Sequence, residues 1–192
     1  MKGICFTEPL FHKVVKGEKT QTRRIINPQP DERGLRTTNI MFENYHGKGF
    51  IPKYNVGEVV YLKEPYIYEY GREEKWYKYY YKFSTADILE LKVIGVDIKW
   101  KNKLFMPESA ARYFIEITAV RAERLQDISD EDCMKEGICP KLDGLSFVNE
   151  VNNIAYPTPK RAYAALIDEI NGKGTWEKNP WVWVYDFELI NK

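Results

Sequence analysis

The residue types that dominate disulfide and metal chemistry are scarce in this chain. Its 192 residues include three cysteines, Cys5, Cys133 and Cys139, and two histidines, His12 and His46. An odd number of widely spaced cysteines argues against a disulfide framework. The ligand spacing of a structural zinc site is absent, and two histidines give little basis for a His-based catalytic triad. We therefore expect buried or incidental thiols, no metal and no cofactor.

Long apolar runs and an excess of one charge sign are also missing. No stretch approaches the roughly 20 apolar residues of a membrane span. The charged residue Glu8 comes too early for the apolar core of a secretory signal. We therefore expect a cytoplasmic protein with no membrane contact. Lys and Arg total 29 and Asp and Glu total 28, a net charge of +1, which excludes a protein that coats nucleic acid through its overall charge.

The near-neutral total hides two regions of opposite charge. Residues 1–53 contain ten Lys or Arg and five Asp or Glu, a local net charge of +5. Residues 116–136 contain three and seven, a local net charge of −4. If the two regions meet in the fold, they form a mixed-charge pocket suited to one nucleoside or a short strand.

The hydrophobic pattern predicts one mixed α+β domain with about six strands and three short-to-medium helices, in a barrel-like arrangement. Helices are predicted to begin after Thr7, Ser129 and Thr158, which are N-cap residue types. Strands are predicted at residues 3–6, 20–26, 59–62, 112–125 and 181–189. Residues 27–55 and 138–157 are interpreted as long loops inserted into this domain.

Tyrosines are concentrated in the segment 66–83, where they alternate with other residues on both sides of a polar turn. Eight of the 14 tyrosines of the chain lie between Tyr61 and Tyr81. Alternation around a turn predicts a β-hairpin. Its tyrosines form a cross-strand ladder that stabilises the hairpin, a platform on which bases stack, or a surface for a protein partner.

Residues 17–24, GEKTQTRR, concentrate an amine, two hydroxyls and two guanidiniums after a predicted helix end. A threonine hydroxyl is a weak nucleophile that needs a base beside it. A lysine acts as that base only where burial or neighbouring cations lower its pKa. A carboxylate would have to come from elsewhere in the chain, and these residues alone do not nominate it. The alternative interpretation is a solvated basic turn.

This segment resembles the G-x-K-T-x-T-x-R signature of ASCH (activating signal cointegrator homology) domains, which belong to the PUA-like superfamily. Further segments resemble phage-type and bacterial ASCH proteins in the same order. They are residues 56–64 (VGEVVYLKE), 106–112 (MPESAAR, with Ala111 where serine is common), 121–129 (RAERLQDIS), 136–137 (EG) and 171–183. The resemblance implies a small PUA-like β-barrel that acts on RNA or nucleosides.

One branch of this family, the small bacterial ASCH-type amidohydrolases, removes the acetyl group of N4-acetylcytidine with a Lys, a Thr and a Glu. By resemblance these catalytic residues fall on Lys19, Thr22 and Glu136. Thr22 then attacks the acetyl carbonyl, Lys19 is the base, and Glu136 transfers protons or binds the cytosine edge. This chain is much longer than that branch.

The candidate substrate-binding residues are Arg23, Arg24, Glu64 and Arg112, of which Glu64 and Arg112 are placed by the resemblance. Arg24 contacts a phosphate or carbonyl, or pairs structurally with Glu64 or Glu136. The leading hypothesis is an ASCH-domain protein that binds RNA or a modified nucleoside in a cleft beside Lys19, Thr22, Arg24 and Glu136. The alternatives are an amidohydrolase and a protein-interaction module that uses the hairpin. The oligomeric state stays open.

Overall fold

The structure, a computed structural model, describes residues 1–31, 34–37, 42–44, 47–71, 76–95, 98–142 and 144–190. Within these ranges the strands are β1 (Lys2–Cys5), β2 (Gln21–Ile25), β3 (Leu35–Thr37), β4 (Phe42–Asn44), β5 (Gly49–Phe50), β6 (Val59–Lys63), β7 (Tyr66–Gly71), β8 (Trp76–Tyr81), β9 (Phe114–Arg124), β10 (Cys139–Pro140), β11 (Phe147–Asn149), β12 (Ile154–Tyr156) and β13 (Trp181–Ile190). The helices are α1 (Glu8–Val15), α2 (Thr85–Val93), α3 (Asp130–Lys135), α4 (Pro159–Asn171) and α5 (Thr175–Lys178). None of the described helices is long and apolar enough to cross a membrane.

The main sheet has five strands in the order β1-β6-β9-β13-β2. β1 runs parallel to β6, and the other neighbours are antiparallel. The register between β9 and β13 shifts at Asp186 and Phe187, which face Ala119 and Ile117. This bulge leaves Thr118 as an extra residue on β9.

The predicted α+β class is confirmed, and the predicted barrel closure is not seen. In the described part of the chain, β1 and β2 are the two edges of the main sheet and do not pair with each other. The strand count also exceeds the predicted six, because the structure contains two small three-stranded sheets, β3-β4-β5 and β10-β11-β12, besides the main sheet and the hairpin. Short strands of two or three residues leave no period-two pattern, so alternation cannot reveal them.

The two segments interpreted as long loops are therefore corrected. Residues 27–55 contain the sheet β3-β4-β5, and residues 138–157 contain the sheet β10-β11-β12. The first of these packs on the main sheet, with the ring of Phe42 centred 4.7 Å from that of Trp183. Helix α2 follows the hairpin in a segment whose sequence is weakly patterned, because Leu91 is its only buried residue.

The tyrosine hairpin is confirmed as the antiparallel pair β7–β8, in which Tyr66 faces Tyr81 and Tyr68 faces Tyr79. The predicted turn spans residues 71–75, of which Gly71 ends β7 and residues 72–75 lie outside the described residues. The rings of Tyr68 and Tyr79 are 6.2 Å apart. Tyr66 and Tyr81 are buried in a small cluster with Met106 and Ala110. These contacts favour the ladder that stabilises the hairpin.

Strand β13 crosses the centre of the hydrophobic core. The alternation Trp181, Trp183, Tyr185, Phe187 and Leu189 predicts one apolar face, but Val182 and Val184 on the other face are also buried, and Leu189 is 37% exposed. On one face Trp183 and Tyr185 contact the rings of Phe42 and Tyr54. On the other face Val184 is in register with Arg23. Helical spacing in the sequence predicts a face of Ala162, Ala165, Leu166 and Ile170, whereas α4 buries Ala162, Tyr163, Leu166 and Ile167.

Candidate binding and catalytic pocket

Lys19 is placed by the turn that joins α1 to β2. The backbone of Gly17 has a φ of 75°, a left-handed conformation that glycine adopts without strain and that ends the helix. The Lys19 amide then donates to the Lys13 carbonyl at 3.1 Å. Lys19 therefore lies before β2, and the direction of its side chain does not follow the alternation of side chains along that strand. It lines a pocket of about 80 Å³ together with Thr22 and Glu136.

The Lys19 ammonium is buried and fully hydrogen-bonded. Its Nζ donates to the Gln21 carbonyl at 2.7 Å, to the Glu136 carbonyl at 2.7 Å and to Glu136 Oε2 at 2.6 Å. Burial lowers the pKa of Lys19, and the positive charges of Arg23 and Arg24 act in the same direction against the attraction of Glu136. A lowered pKa is what a lysine base requires.

Glu136 reaches Lys19 from the end of α3. Ser129 caps this helix by accepting a hydrogen bond from the Asp132 amide, as the sequence predicts. Glu136 is the C-cap residue, and Gly137 has a φ of 100°, so the helix stops there. The last carbonyls of a helix lack intrahelical partners. The Glu136 carbonyl is therefore free to accept from Lys19.

Arg23 lies on one face of β2, inside a network of carboxylates. Its Nε and Nη2 donate to Glu123 Oε1 at 3.0 and 2.5 Å, and Nη2 also donates to Asp132 Oδ2 at 2.9 Å. Its Nη1 donates to Glu136 Oε1 at 3.2 Å and to Gln21. Every nitrogen of the Arg23 guanidinium therefore has a protein acceptor in this structure, and the substrate contact predicted for Arg23 stays a prediction.

Carboxylates around Arg23 are further held by Arg121, which donates to Asp132 Oδ2 and to Asp186 Oδ2, each at 2.7 Å. Burial opposes ionisation of Asp132, but hydrogen bonds and charge from Arg23 outweigh it and lower the pKa of Asp132. The basic region 1–53 and the acidic region 116–136 thus meet at this network. Asp132 lies in the first turn of α3, where an acidic residue favours the helix dipole, so its position in the sequence alone does not indicate a place in this network.

Arg24 lies on the opposite face of β2, in register with Trp183. Its Nη2 donates to the Cys5 carbonyl at 2.8 Å, and its guanidinium carbon lies 5.4 Å from the centre of the Phe6 ring. Within the described residues it forms no ion pair, so the predicted alternative of a pair with Glu64 or Glu136 is not seen. Arg24 lines both the small pocket and an adjoining cleft of about 470 Å³.

Three buried polar atoms without a hydrogen-bond partner belong to residues that line the small pocket. They are Thr7 Oγ1, Arg24 Nε and Tyr163 Oη, among five such atoms in the described residues. Thr7 does not cap α1 with its side chain, contrary to its predicted role. Leaving a buried donor or acceptor unpaired costs about 1–3 kcal/mol. A polar ligand or water in the pocket would remove that cost.

Tyr163 is the pocket residue that sequence reasoning missed. Its side chain is fully buried on α4, its ring lies 5.9 Å from the guanidinium carbon of Arg23, and burial raises its pKa well above the ordinary value. The phenol therefore stays protonated and remains a hydrogen-bond donor at neutral pH. A tyrosine on an apolar helix face is ordinarily a core residue, so the pattern carried no signal for this role.

Thr22 is placed in the pocket with about 4% of its surface exposed, in register with Tyr185.

Glu64 and Arg112 are not brought to the pocket. Arg112 donates to Glu64 at 3.0 and 2.8 Å in a bidentate pair, and its guanidinium carbon lies 4.1 Å from the centre of the Tyr81 ring. Neither residue lines either cavity. The pair connects the main sheet to the hairpin.

Comparisons with protein-family models, with curated proteins and with solved structures give no significant match. In the described part of the chain, no group of three or more His, Cys, Asp or Glu side chains is arranged to hold a metal ion. The chemical properties of the pocket therefore rest on its own residues.

Proposed function

We propose that the chain is an ASCH-type, PUA-like domain, located in the cytoplasm, that binds RNA or a modified nucleoside beside Lys19, Thr22, Arg24 and Glu136. The family relation rests on the ordered motifs of the sequence. The binding role rests on one observation, that three unpartnered buried polar atoms belong to residues lining the pocket that holds the Lys19–Glu136 pair. A pocket of about 80 Å³ accepts the polar edge of a base or an acyl group, and the rest of the ligand extends into the larger cleft.

The hydroxyl of Tyr163 provides the sharpest test of binding. In Tyr163→Phe the buried hydroxyl without a partner is removed, so the ligand-free protein keeps or gains stability. The same change removes a donor to the ligand and weakens binding of N4-acetylcytidine or a short RNA by about tenfold. Isothermal titration calorimetry and urea denaturation measure the two effects.

Tyr156→Phe is the matched control, because Tyr156 lines neither cavity and its hydroxyl accepts from Asn152 at 3.0 Å. Its ligand affinity stays at the wild-type level. Absence of binding by the wild-type protein at low salt, for nucleoside and RNA alike, would refute the proposal. Equal affinities of wild type and Tyr163→Phe would remove Tyr163 from the binding set.

The second candidate function is the amidohydrolase, favoured by the shared pocket of Lys19, Thr22 and Glu136 and by the lowered pKa of Lys19. In this mechanism the Thr22 hydroxyl attacks the acetyl carbonyl while the neutral Lys19 amine accepts its proton. The tetrahedral intermediate expels the N4 amine of cytidine, which receives a proton from Lys19 or Glu136. Water then hydrolyses the acetyl ester of Thr22 and releases acetate.

Buried donors would stabilise the oxyanion of such an intermediate, and Arg24 Nε and Tyr163 Oη are of this kind. Release of cytidine from N4-acetylcytidine, followed by chromatography, tests the reaction. Thr22→Val removes the nucleophile at nearly constant shape and is expected to abolish release while the circular dichroism spectrum is retained. An inert wild-type protein, or an active Thr22→Val, would eliminate this candidate.

The alternative of a protein-interaction module has less support, because the hairpin tyrosines contact one another and the small cluster around Met106.

A further inference from the structure

The cleft of about 470 Å³ beside the pocket has a one-sided charge. It shares Cys5, Arg24 and Ile25 with the pocket, so the two cavities adjoin. Among the described residues its charged lining side chains are Arg24, Lys53 and Lys63, and none of the described Asp or Glu residues lines it. In the small pocket the positive charges of Lys19 and Arg23 are paired with carboxylates. The cleft is therefore the part of the site with a net positive charge.

The protein leaves these three positive charges uncompensated. Lys63 Nζ donates to the Leu104 carbonyl at 2.9 Å, and Arg24 Nη2 donates to the Cys5 carbonyl. Lys53 Nζ lies 5.3 Å from the centre of the Tyr54 ring. All of these partners are neutral, and none of the three cations has a salt bridge to any described residue.

The carboxylate of Glu58 lies in this region and forms an ion pair with Lys2. Glu58 Oε2 accepts from Lys2 Nζ at 3.0 Å and from the Asn55 amide at 3.0 Å. Lys2 Nζ also donates to the Lys53 carbonyl at 2.6 Å. Glu58 therefore contributes no free negative charge to the cleft, and the cleft attracts an anion.

The position of the Lys63 side chain depends on the absence of a side chain at Gly3. Gly3 of β1 stands in register with Tyr61 of β6 and lines the cleft. A Cβ atom added at Gly3 would lie 2.3 Å from Lys63 Cε and 2.7 Å from Tyr61 Cζ. The absence of a side chain at this position allows the Lys63 side chain to lie across β1.

We infer that this cleft binds the phosphate of a nucleotide whose base occupies the smaller pocket, an inference that rests on the proposed function. Arg24 lines both cavities, so a ligand that spans them passes it. Lys53 and Lys63 contact the phosphate, and the exposed apolar side chains of Ile51 and Leu104 line the same cleft. The phosphate is either the 5′-monophosphate of a single nucleotide or a phosphodiester of RNA.

The test compares N4-acetylcytidine, its 5′-monophosphate and a short single-stranded RNA in isothermal titration calorimetry. The monophosphate is expected to bind about tenfold more tightly than the nucleoside, because charge-assisted hydrogen bonds contribute more than neutral ones. Lys53→Gln and Lys63→Gln are each expected to remove most of that gain. High salt is expected to reduce the gain as well, since the lysines reach solvent.

Lys92→Gln is the matched control, because Lys92 is exposed on α2 and lines neither cavity. It retains the full gain. Lys53→Gln keeps the test valid if loss of the Lys63 hydrogen bond to Leu104 disturbs folding. A gain with RNA but not with the monophosphate, lost in the two lysine variants, assigns the cleft to a phosphodiester.

Two results would overturn the inference and leave the proposed function standing. One is equal affinity for the nucleoside and both phosphate-bearing ligands. The other is a gain that persists in Lys53→Gln and Lys63→Gln. Failure of all three ligands to bind overturns the proposed function and this inference together.

Discussion

Lys13 and Lys19 lie six residues apart and each is about 2% exposed, yet the fold shifts their pKa values in opposite directions. Lys13 Nζ contacts the Gly137 carbonyl at 2.8 Å, Cys139 Sγ at 2.7 Å and Glu150 Oε1 at 3.0 Å. Burial disfavours its charge, but contacts with Cys139 and Glu150 outweigh burial and raise the pKa of Lys13. Its ammonium is held firmly in the charged state.

Lys19 has a closer carboxylate, Glu136 Oε2 at 2.6 Å, but burial dominates and lowers the pKa of Lys19. The side chain of Glu136 is 4% exposed, whereas that of Glu150 is 44% exposed. Arg23 and Arg24 add positive charge beside Lys19. The comparison shows that a buried lysine with a single anion at the surface serves stability. Burial and the charges of Arg23 and Arg24 instead disfavour the charged form of Lys19.

The largest expected difference between the Lys13 and Lys19 sites is the stability lost when the carboxylate partner is neutralised. Glu136→Gln leaves the buried charges of Lys19 and Arg23 with less compensation and is expected to reduce the free energy of unfolding by about 3–5 kcal/mol. Glu150→Gln removes a half-exposed partner and is expected to cost at most about 1 kcal/mol. Urea denaturation at pH 7 measures both, and equal losses would contradict the distinction.

The second difference between the two lysines is how their contributions to stability change with pH in the alkaline range. Lys13 has a raised pKa, so its contribution is fully present below the ordinary value of 10.5 and is lost as pH rises through the folded-state pKa. Lys19 has a lowered pKa, so the unfolded chain binds more protons at this site between that pKa and 10.5. Its contribution to stability therefore increases as pH rises through this window.

The variants Lys13→Met and Lys19→Met separate the two effects. From pH 7 to pH 10 the stability difference between wild type and Lys19→Met is expected to grow in favour of wild type. The corresponding difference for Lys13→Met is expected to stay constant over the same range. Chemical denaturation at several pH values gives both curves, and parallel curves would show that the two lysines do not differ.

The smallest expected difference is at the helix starts that support the two sites. Ser129 caps α3, which ends at Glu136, so Ser129→Ala is expected to cost about 1 kcal/mol. Thr7 stands at the N-cap position of α1, which carries Lys13, but its hydroxyl makes no cap hydrogen bond. Thr7→Ala is therefore expected to change the stability by less than Ser129→Ala. The reverse order in thermal denaturation would show that Thr7 caps α1 in solution.

Local signals predicted much of the fold. Ser129, Thr158 and Gly17 mark helix boundaries that the structure confirms, because capping and left-handed stops depend only on a few neighbouring residues. Alternation likewise predicted the hairpin and the long strands β9 and β13. The small sheets β3-β4-β5 and β10-β11-β12 were missed, since their two- or three-residue strands form only where the rest of the fold supports them.

The pocket was predictable only in part. The sequence motif pointed to Lys19, Thr22 and Glu136, which the structure places around one pocket. The same reasoning gave Thr7 a capping role and left Tyr163 unnoticed. The hydroxyl oxygens of both residues are buried without a hydrogen-bond partner, a property that depends on what surrounds an atom in the fold.

By itself the sequence determined the α+β class, the main helix and strand boundaries and the existence of two oppositely charged regions. Only the tertiary structure decided how the adjacent residues Arg23 and Arg24 are used. Successive residues of β2 face opposite sides of the sheet. On one side Arg23 meets Glu123 and Asp132, which are 100 and 109 residues away in the chain. On the other side no carboxylate of the described residues binds Arg24, and that contrast depends on long-range packing that no local pattern records.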